Sequence, residues 1–318
     1  MKKHRTVSVI IPNYNNGKYL EECINSCLIQ KGDFSIEIIV VDDHSTDNSL
    51  QVLEKIQKQH PQTLKVFKNP SKGGNSARIY GFNQSKGGYI QWLDSDDLIL
   101  EGKFNAQIKK MEDEDLDVVF SDSYLCYYDK EGRLTSKKKR EGKGSSDFLL
   151  SIIKNQWNPI HSYLFCRKIV EKTIQENGWN VDTQVGQDRE FVTIAAITGG
   201  KFGYLKGYYS VYNIWFKPSV SKVSHKESIL QTVILNKRFY NLILKYFTNV
   251  KQANHYLRQL NTELVRSLYY VPKLKLPRKI PVTKVNWKAI DKRIIPFVLT
   301  LLVINNNLYL LRNNAKKQ

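Results

Sequence analysis

The chain has 318 residues, 41% of them hydrophobic and 25% charged, with a formal net charge of +19. That length and apolar share suit one large α/β domain with an appendage, or two modest domains, and they exclude wholesale disorder. The charge is uneven: residues 231–318 carry 17 Lys and Arg against only Glu263 and Asp291, a net of +15, which leaves +4 for residues 1–230.

The opening "MKKHRTVSVIIPNYNN" has too short an apolar stretch for a secretion signal, and Pro12 with three asparagines closes it, so it reads as a strand. "TVSVII" (6–11) and "IEIIVV" (36–41) are β-branched apolar runs of the kind buried parallel strands show. Between them, "GKYLEECINSCLIQ" places Tyr19/Leu20, Cys23/Ile24 and Cys27/Leu28 at helical spacing. "TDNSLQVLEKIQKQ" predicts a second helix, with Thr46 or Asp47 as its N-cap. "TLKVFKN", "NSARIYGFNQS" and "GYIQWL" continue the alternation as strand, helix and strand, so a doubly wound, mostly parallel Rossmann-like α/β sheet is expected. "LILEGKFNAQIKKM" reads as a helix, "DVVFSDSYLCYY" as a strand, and "DKEGRLTSKKKREGKGSSD" as a polar, basic loop. Residues 145–156 read as helical, "HSYLFCRK" as a strand and "GQDREFVTIAAIT" as a helix with its acid near the N-terminus. From about Ser224 the chain is helical and basic, interrupted by "VPKLKLPRKIP". The cysteines Cys23, Cys27, Cys126 and Cys166 form no zinc-like cluster, which points to reduced thiols and a cytoplasmic chain. No stretch reaches the length of a membrane-spanning helix.

Three of these strands end in distinctive polar residues: Pro12-Asn13-Tyr14-Asn15, Asp42-Asp43, and Asp94-Ser95-Asp96-Asp97. Ligands of an open parallel sheet bind at the carboxyl ends of its strands. The pattern therefore gathers at least four carboxylates at one rim, where they stay ionised only beside a cation. Hard oxygen ligands suit Mg²⁺ or Mn²⁺, which keep several waters and bridge to phosphate oxygens. Asp97 would also suit the N-cap of the helix after it. "SKGGNSAR" lacks the spacing and the Lys-Ser/Thr of a phosphate loop, and no G-x-G-x-x-G follows the first strand, which weighs against an NTPase or a dehydrogenase.

"VSVIIPNYNNGKYLEECINSCLIQ", "IEIIVVDDHSTDNS", "NPSKGGNSARIYGF" and "GYIQWLDSDD" occur in the order and at about the spacing seen in inverting family 2 glycosyltransferases, and from about Val7 to Ser221 the chain resembles that family and its A-type nucleotide-sugar fold. The resemblance implies that Pro12, Asn13, Tyr14, Asn15 and Asp43 contact the nucleoside base and that Arg78 lies by the nucleotide. It implies that Asp94, the first acid of the D-x-D, reaches the ribose or the metal, and that Asp96 ligates the metal. It also implies a base near the start of a helix, here Asp188 in "GQDREF", with Gln187 where the family usually has glutamate. A positioned base takes the proton of the attacking hydroxyl, and a metal offsets charge on the leaving diphosphate. Taken alone, Asp188 could simply stabilise its helix N-terminus. "YYSVYNIWFKPSVSKVSH" resembles the family segment that closes over the donor: Ser219 and Ser221 are present, Phe216 and Lys217 stand near where an arginine and a histidine are usual, and Lys217 or His225 is a candidate phosphate contact. His161 reads as a core or rim histidine.

The expectation is thus a catalytic domain over 1–223 that moves a sugar from a nucleotide-diphosphate donor, a UDP-sugar by family default, to a hydroxyl of a glycan or lipid-linked acceptor in surface polysaccharide synthesis. Residues 224–318 form a basic helical region. Its "IIPFVLTLLVI" (294–304) suits either a helix lying on an anionic membrane surface at the inner face of the plasma membrane or one buried on the catalytic domain. A basic nucleic-acid- or polyanion-binding protein is the rival class. No recognised nucleic-acid module is visible, and the acids at three strand ends would then have no role.

Overall fold

The computed structural model describes residues 5–156, 158–216 and 225–269; within the last range, the side chains of 225, 226, 228–230 and 264–269 are left aside. Strands β1 (Thr6–Asn13), β2 (Ser35–Asp42), β3 (Leu64–Lys68) and β4 (Tyr89–Trp92) are joined by helices α1 (Gly17–Leu28), α2 (Ser49–Gln59) and α3 (Gly74–Gln84). The apolar runs of β1 and β2 are nearly continuous because both faces of the sheet are covered there, whereas the edge strand β3, LKVFK, is mostly half-buried. Val7, Val9, Ile11, Ile38 and Val40 pack with Leu20 and Ile24 of α1 and Leu53 of α2. Ile39 and Val41 pack on Ala77 of α3 from the other side. Helix α3 comes close enough that a Cβ on Gly81 would sit 2.7 Å from Ile10 Cγ2, which sets the depth of Arg78 one turn earlier. Parallel register places Asn13 beside Asp42, and Ile10 beside Trp92. The three acid- and asparagine-bearing strand ends therefore meet at one rim.

The sequence then continues through β5 (Leu98–Ile99), α4 (Lys103–Asp113), β6 (Val118–Tyr128), β7 (Leu134–Arg140), α5 (Phe148–Ile153), β8 (Tyr163–Cys166), α6 (Arg167–Gln175), α7 (Gln187–Ile197) and β9 (Phe202–Ile214). Among the described residues the sheet has nine strands, ordered β3-β2-β1-β4-β8-β6-β9-β5 with β7 on β6. The β1–β4 half is parallel, whereas β8 pairs antiparallel with both β4 and β6.

Two local expectations change. The segment after Asp97 starts with the short strand β5, and α4 begins only behind Gly102, whose φ of 81° is left-handed. The basic loop contains β7, which pairs antiparallel with β6 across Tyr124↔Lys139 and Leu125↔Lys138. Nearly all of β7 is exposed, so it carries no apolar alternation to announce a strand. Its lysines instead lie over rings, with Lys137 Nζ 4.0 Å from the Tyr124 ring centre and Lys138 Nζ 5.2 Å from that of Tyr127.

The chain divides into two compact units, Met1–Phe148 with Gln156–Ser219, and Leu149–Asn155 with Val220–Gln318. The second contains α8 (His225–Tyr246) and α9 (Val250–Tyr269), which pack on each other, the Phe247 and Tyr256 rings lying 5.0 Å apart. Among the described residues no helix is long and apolar enough to cross a membrane. The stretch 294–304, the segment from Lys217 to Ser221 and the His225 side chain lie outside what is described, and so do the surface-helix and phosphate-contact readings that fall on them.

Candidate active site

The rim is built from hydrogen bonds that the strand register makes available. Asn13 is buried, and its Nδ2 donates to Asp42 Oδ1 at 2.9 Å and to Ser45 Oγ at 3.1 Å. Asn15 has a left-handed φ of 52°, a region asparagine tolerates, and its Oδ1 accepts from the Thr46 N–H at 2.7 Å. Asp43 accepts from the Gly73 N–H at both oxygens (3.0 and 2.9 Å) and from Asn69 Nδ2 at 2.7 Å. Between these anchored residues Tyr14 stands out from the surface, 59% exposed. Pro12 to Asn15 and Asp43 are thus held at one edge with a projecting aromatic ring. The N-cap of α2 is Asn48 and neither Thr46 nor Asp47, the two expected there; Asp47, just before it, accepts from the Ser49 N–H (2.9 Å) and the Gly17 N–H (3.0 Å), so its carboxylate ties the starts of α2 and α1 together.

The repulsion within "DSDD" is offset differently at each acid. Asp94 Oδ1 accepts from the buried Arg78 at 2.6 Å. The Arg78 guanidinium lies 4.4 Å over the ring of Trp179, which in turn stacks on Phe191 of α7 at 4.7 Å. Trp179 is fully buried and holds a left-handed φ of 61°, unusual for a bulky residue and sustained here by rings on several sides. Asp97 turns inward: it is buried, its Oδ1 accepts from the Asn213 N–H at 2.8 Å, and its Oδ2 lies 3.0 Å from His161 Nδ1. Burial, then the charges of Asp96 and Asp94, push its carboxyl well above the usual range. The N-cap role considered for Asp97 is excluded by this geometry. His161 is buried and burial pulls it down to about 4, so the imidazole is neutral near pH 7.

That leaves Asp94 and Asp96 as the two partly exposed carboxylates of the turn. Among the described residues no three acids, histidines or cysteines converge as a complete metal cage. Two hard oxygen donors fit a Mg²⁺- or Mn²⁺-type ion that keeps its waters and completes its shell with diphosphate oxygens, and they do not fit a structural metal with all its ligands from protein.

Asp188 lies in the first turn of α7, behind Gly186 with its left-handed φ of 77°. It lines a cavity of about 270 Å³ together with Asp94, His161, Arg140, Tyr127 and Tyr212. Its carboxyl is pushed up to about 6, first by burial and then by the Asp94 charge, while Arg78 and the Ile160 N–H pull it back. A carboxylate with that value is mostly ionised at pH 7 yet more basic than an ordinary one, as a proton acceptor needs to be. Below about 6 the acceptor form is lost. We therefore expect kcat/KM to fall about tenfold per pH unit on the acid side, with a midpoint near 6. A flat profile down to pH 5 would count against Asp188 as the acceptor. Gln187 donates from Nε2 to the Thr183 carbonyl at 2.8 Å, a bond that the usual glutamate could not make when ionised.

Four side chains of this site were not singled out from sequence: Trp179, Arg140, Tyr127 and Tyr212. His161 reads there only as a core or rim residue. Trp215 likewise carries no signal in the letters; it stacks on Tyr128 at 3.9 Å and leans on Tyr19 at 4.3 Å.

Residues 8–175 match the family model described as "Glycosyl transferase family 2". The chain is 27% identical over 300 residues to the minor teichoic acid biosynthesis protein GgaB of Bacillus subtilis, covering 93% of this chain and 31% of that protein. It is 39% identical over 119 residues to the glycosyltransferase GlyG of Streptococcus pneumoniae, covering 37% of this chain and 39% of that one. The chain thus spans about a third to two fifths of the length of these relatives. Its fold is similar to that of S. aureus TarS, residues 1–349, in complex with UDP-GlcNAc, with a TM-score of 0.65 at 19% identity over 84% of this chain and 73% of that one.

Proposed function

The chain belongs to glycosyl transferase family 2, and from that premise we propose that it moves a sugar, by a single inverting displacement, from a UDP-sugar to a hydroxyl of a glycan or lipid-linked acceptor in surface polysaccharide synthesis. The observation that carries this is the shared cavity: Asp94 of the donor rim and the perturbed Asp188 face one space. Asn13, Asn15 and Asp43 shape the edge that takes the nucleoside base, with Tyr14 laid against it. Arg78 fixes Asp94 toward the ribose and diphosphate. Asp188 takes the proton of the acceptor hydroxyl as it attacks the anomeric carbon, and the diphosphate leaves from the opposite side. A divalent ion held by Asp94 and Asp96 would neutralise charge on the departing diphosphate. The UDP-GlcNAc in complex with TarS supports a uridine donor, and the likeness to GgaB, a teichoic acid biosynthesis protein, supports a wall-polymer setting.

Calorimetric titration with UDP, dTDP and GDP, each with Mn²⁺ and with EDTA, tests the donor half. Metal-dependent binding of UDP is expected, and Asp96→Asn is expected to weaken it by about a hundredfold, the upper part of the range for disturbing a metal site. Binding of no nucleotide by folded protein would move weight to the polyanion-binding class.

A further inference from the structure

The cavity that Asp188 lines also holds one cation, Arg140, and it comes from the end of β7. In an antiparallel pair, directly opposed residues point to the same face and alternate residues share it. Leu125 and Tyr127 of β6 line the cavity, and Tyr212 of β9 lines it beside Leu125. Lys138 is paired with Leu125, and Arg140 lies two residues on, itself in the cavity wall. Lys138 and Arg140 are therefore on the cavity face, with Lys138 over the Tyr127 ring. Lys137 and Lys139 point the other way, onto Tyr124 and Tyr208. In the proposed reading the donor diphosphate is met by Arg78, Asp94 and Asp96. Arg140, Tyr127 and Tyr212 line the cavity apart from that rim, and Lys138 shares the Arg140 face of β7 just outside the lining.

We propose that this face of β7 is an acceptor subsite for a phosphodiester, so that the acceptor is an anionic glycan or polyol-phosphate chain whose phosphate sits on Arg140 and Lys138 while its sugar or polyol rests on Tyr127 and Tyr212. The identity of the occupant as an acceptor rests on the transferase reading; the anion site itself does not. Alternate residues along a strand are about 6.6–6.8 Å apart. That repeat, running outward from the cavity along an exposed edge strand, matches a linear chain with recurring charges better than a single headgroup. A guanidinium takes two oxygens of one phosphate, and a lysine adds a mobile second charge.

The test exploits the two faces of one strand. Lys138→Gln with Arg140→Gln, and Lys137→Gln with Lys139→Gln, remove the same charge from the full chain and leave its basic tail untouched. Affinity is measured for a short phosphodiester-linked glycerol polymer, for a neutral dextran of similar length, and for phosphatidylglycerol vesicles. Thermal melting and UDP binding are recorded on the same samples. The first pair is expected to weaken polymer binding about tenfold and to flatten the slope of log K against log salt by about 1 to 2. The second pair is expected to change it less than about twofold. Equal losses from both pairs, no loss from the first, loss confined to vesicles, or equal affinity for dextran would each overturn the proposal. A face-dependent loss of polymer binding between the two pairs of variants, in a protein whose wild type binds no nucleotide, would keep the subsite and remove the transferase reading.

Discussion

Replacing Asp188 with asparagine is expected to lower kcat by roughly 10²–10⁴-fold while donor affinity stays within about threefold of normal. The amide keeps the size of the carboxyl and still accepts the Ile160 N–H that holds it, so the start of α7 and the cavity wall should persist. What asparagine cannot do is take a proton near neutral pH. The competing account makes Asp188 a charge that stabilises its helix N-terminus, worth about 0.3–1 kcal/mol. The two accounts separate cleanly: that role predicts a small drop in melting temperature with turnover intact. Single-turnover kinetics with saturating donor would show near-normal transfer only if the proton acceptor lies elsewhere.

The second large effect is expected at Arg78. Methionine there preserves a stem under Trp179 and removes the charge, so Asp94 loses a 2.6 Å partner and is left facing Asp96, Asp97 and Asp188. With Arg78 buried but Asp94 about a third exposed, the expected loss of stability is about 1–3 kcal/mol, below the range for a fully buried pair. Arg78 also pulls the Asp188 carboxyl down, so its removal should move the acid limb of kcat/KM upward from about 6. Lysine at 78 should bring the acid limb part of the way back toward 6, because it returns the charge without the fork. Urea melts and a pH profile of the three proteins decide it. An unmoved acid limb with reduced stability would mean that Arg78 only packs.

How much of this could be seen in the letters depended on what each element is buried against. Strands β1, β2 and β4 are covered on both faces, so their apolar runs and the polar residues that end them were plain. Strand β7 offers "LTSKKKR", stabilised by pairing with β6 and by tyrosine rings contributed from elsewhere, and nothing in its own composition says strand. β5 is two residues long, and its apolar pair is indistinguishable in the letters from the start of the helix that follows. His161 carries no local sign of its role, because only the pairing of β8 beside β4 brings it to Asp97. Trp179 is the same case: its place under Arg78 depends on a contact between residues 101 positions apart, 179 less 78. Sequence could name the acids; it could not say which one each neighbour would hold.

The bond from the Asn213 N–H to Asp97 joins residues 116 positions apart, and β5 likewise waits for β9. At a ribosomal pace of about 5–20 residues per second, the acidic turn exists for roughly 6–23 seconds before the strand that completes it has been made. Through that interval the nascent chain shows an open sheet edge next to a cluster of like charges. Non-local closure of this kind slows folding and leaves it dependent on late segments. The order of synthesis therefore gives β9, the last strand among the described residues, a timing role: until it emerges, the parallel half can form but the turn that holds Asp97 stays incomplete.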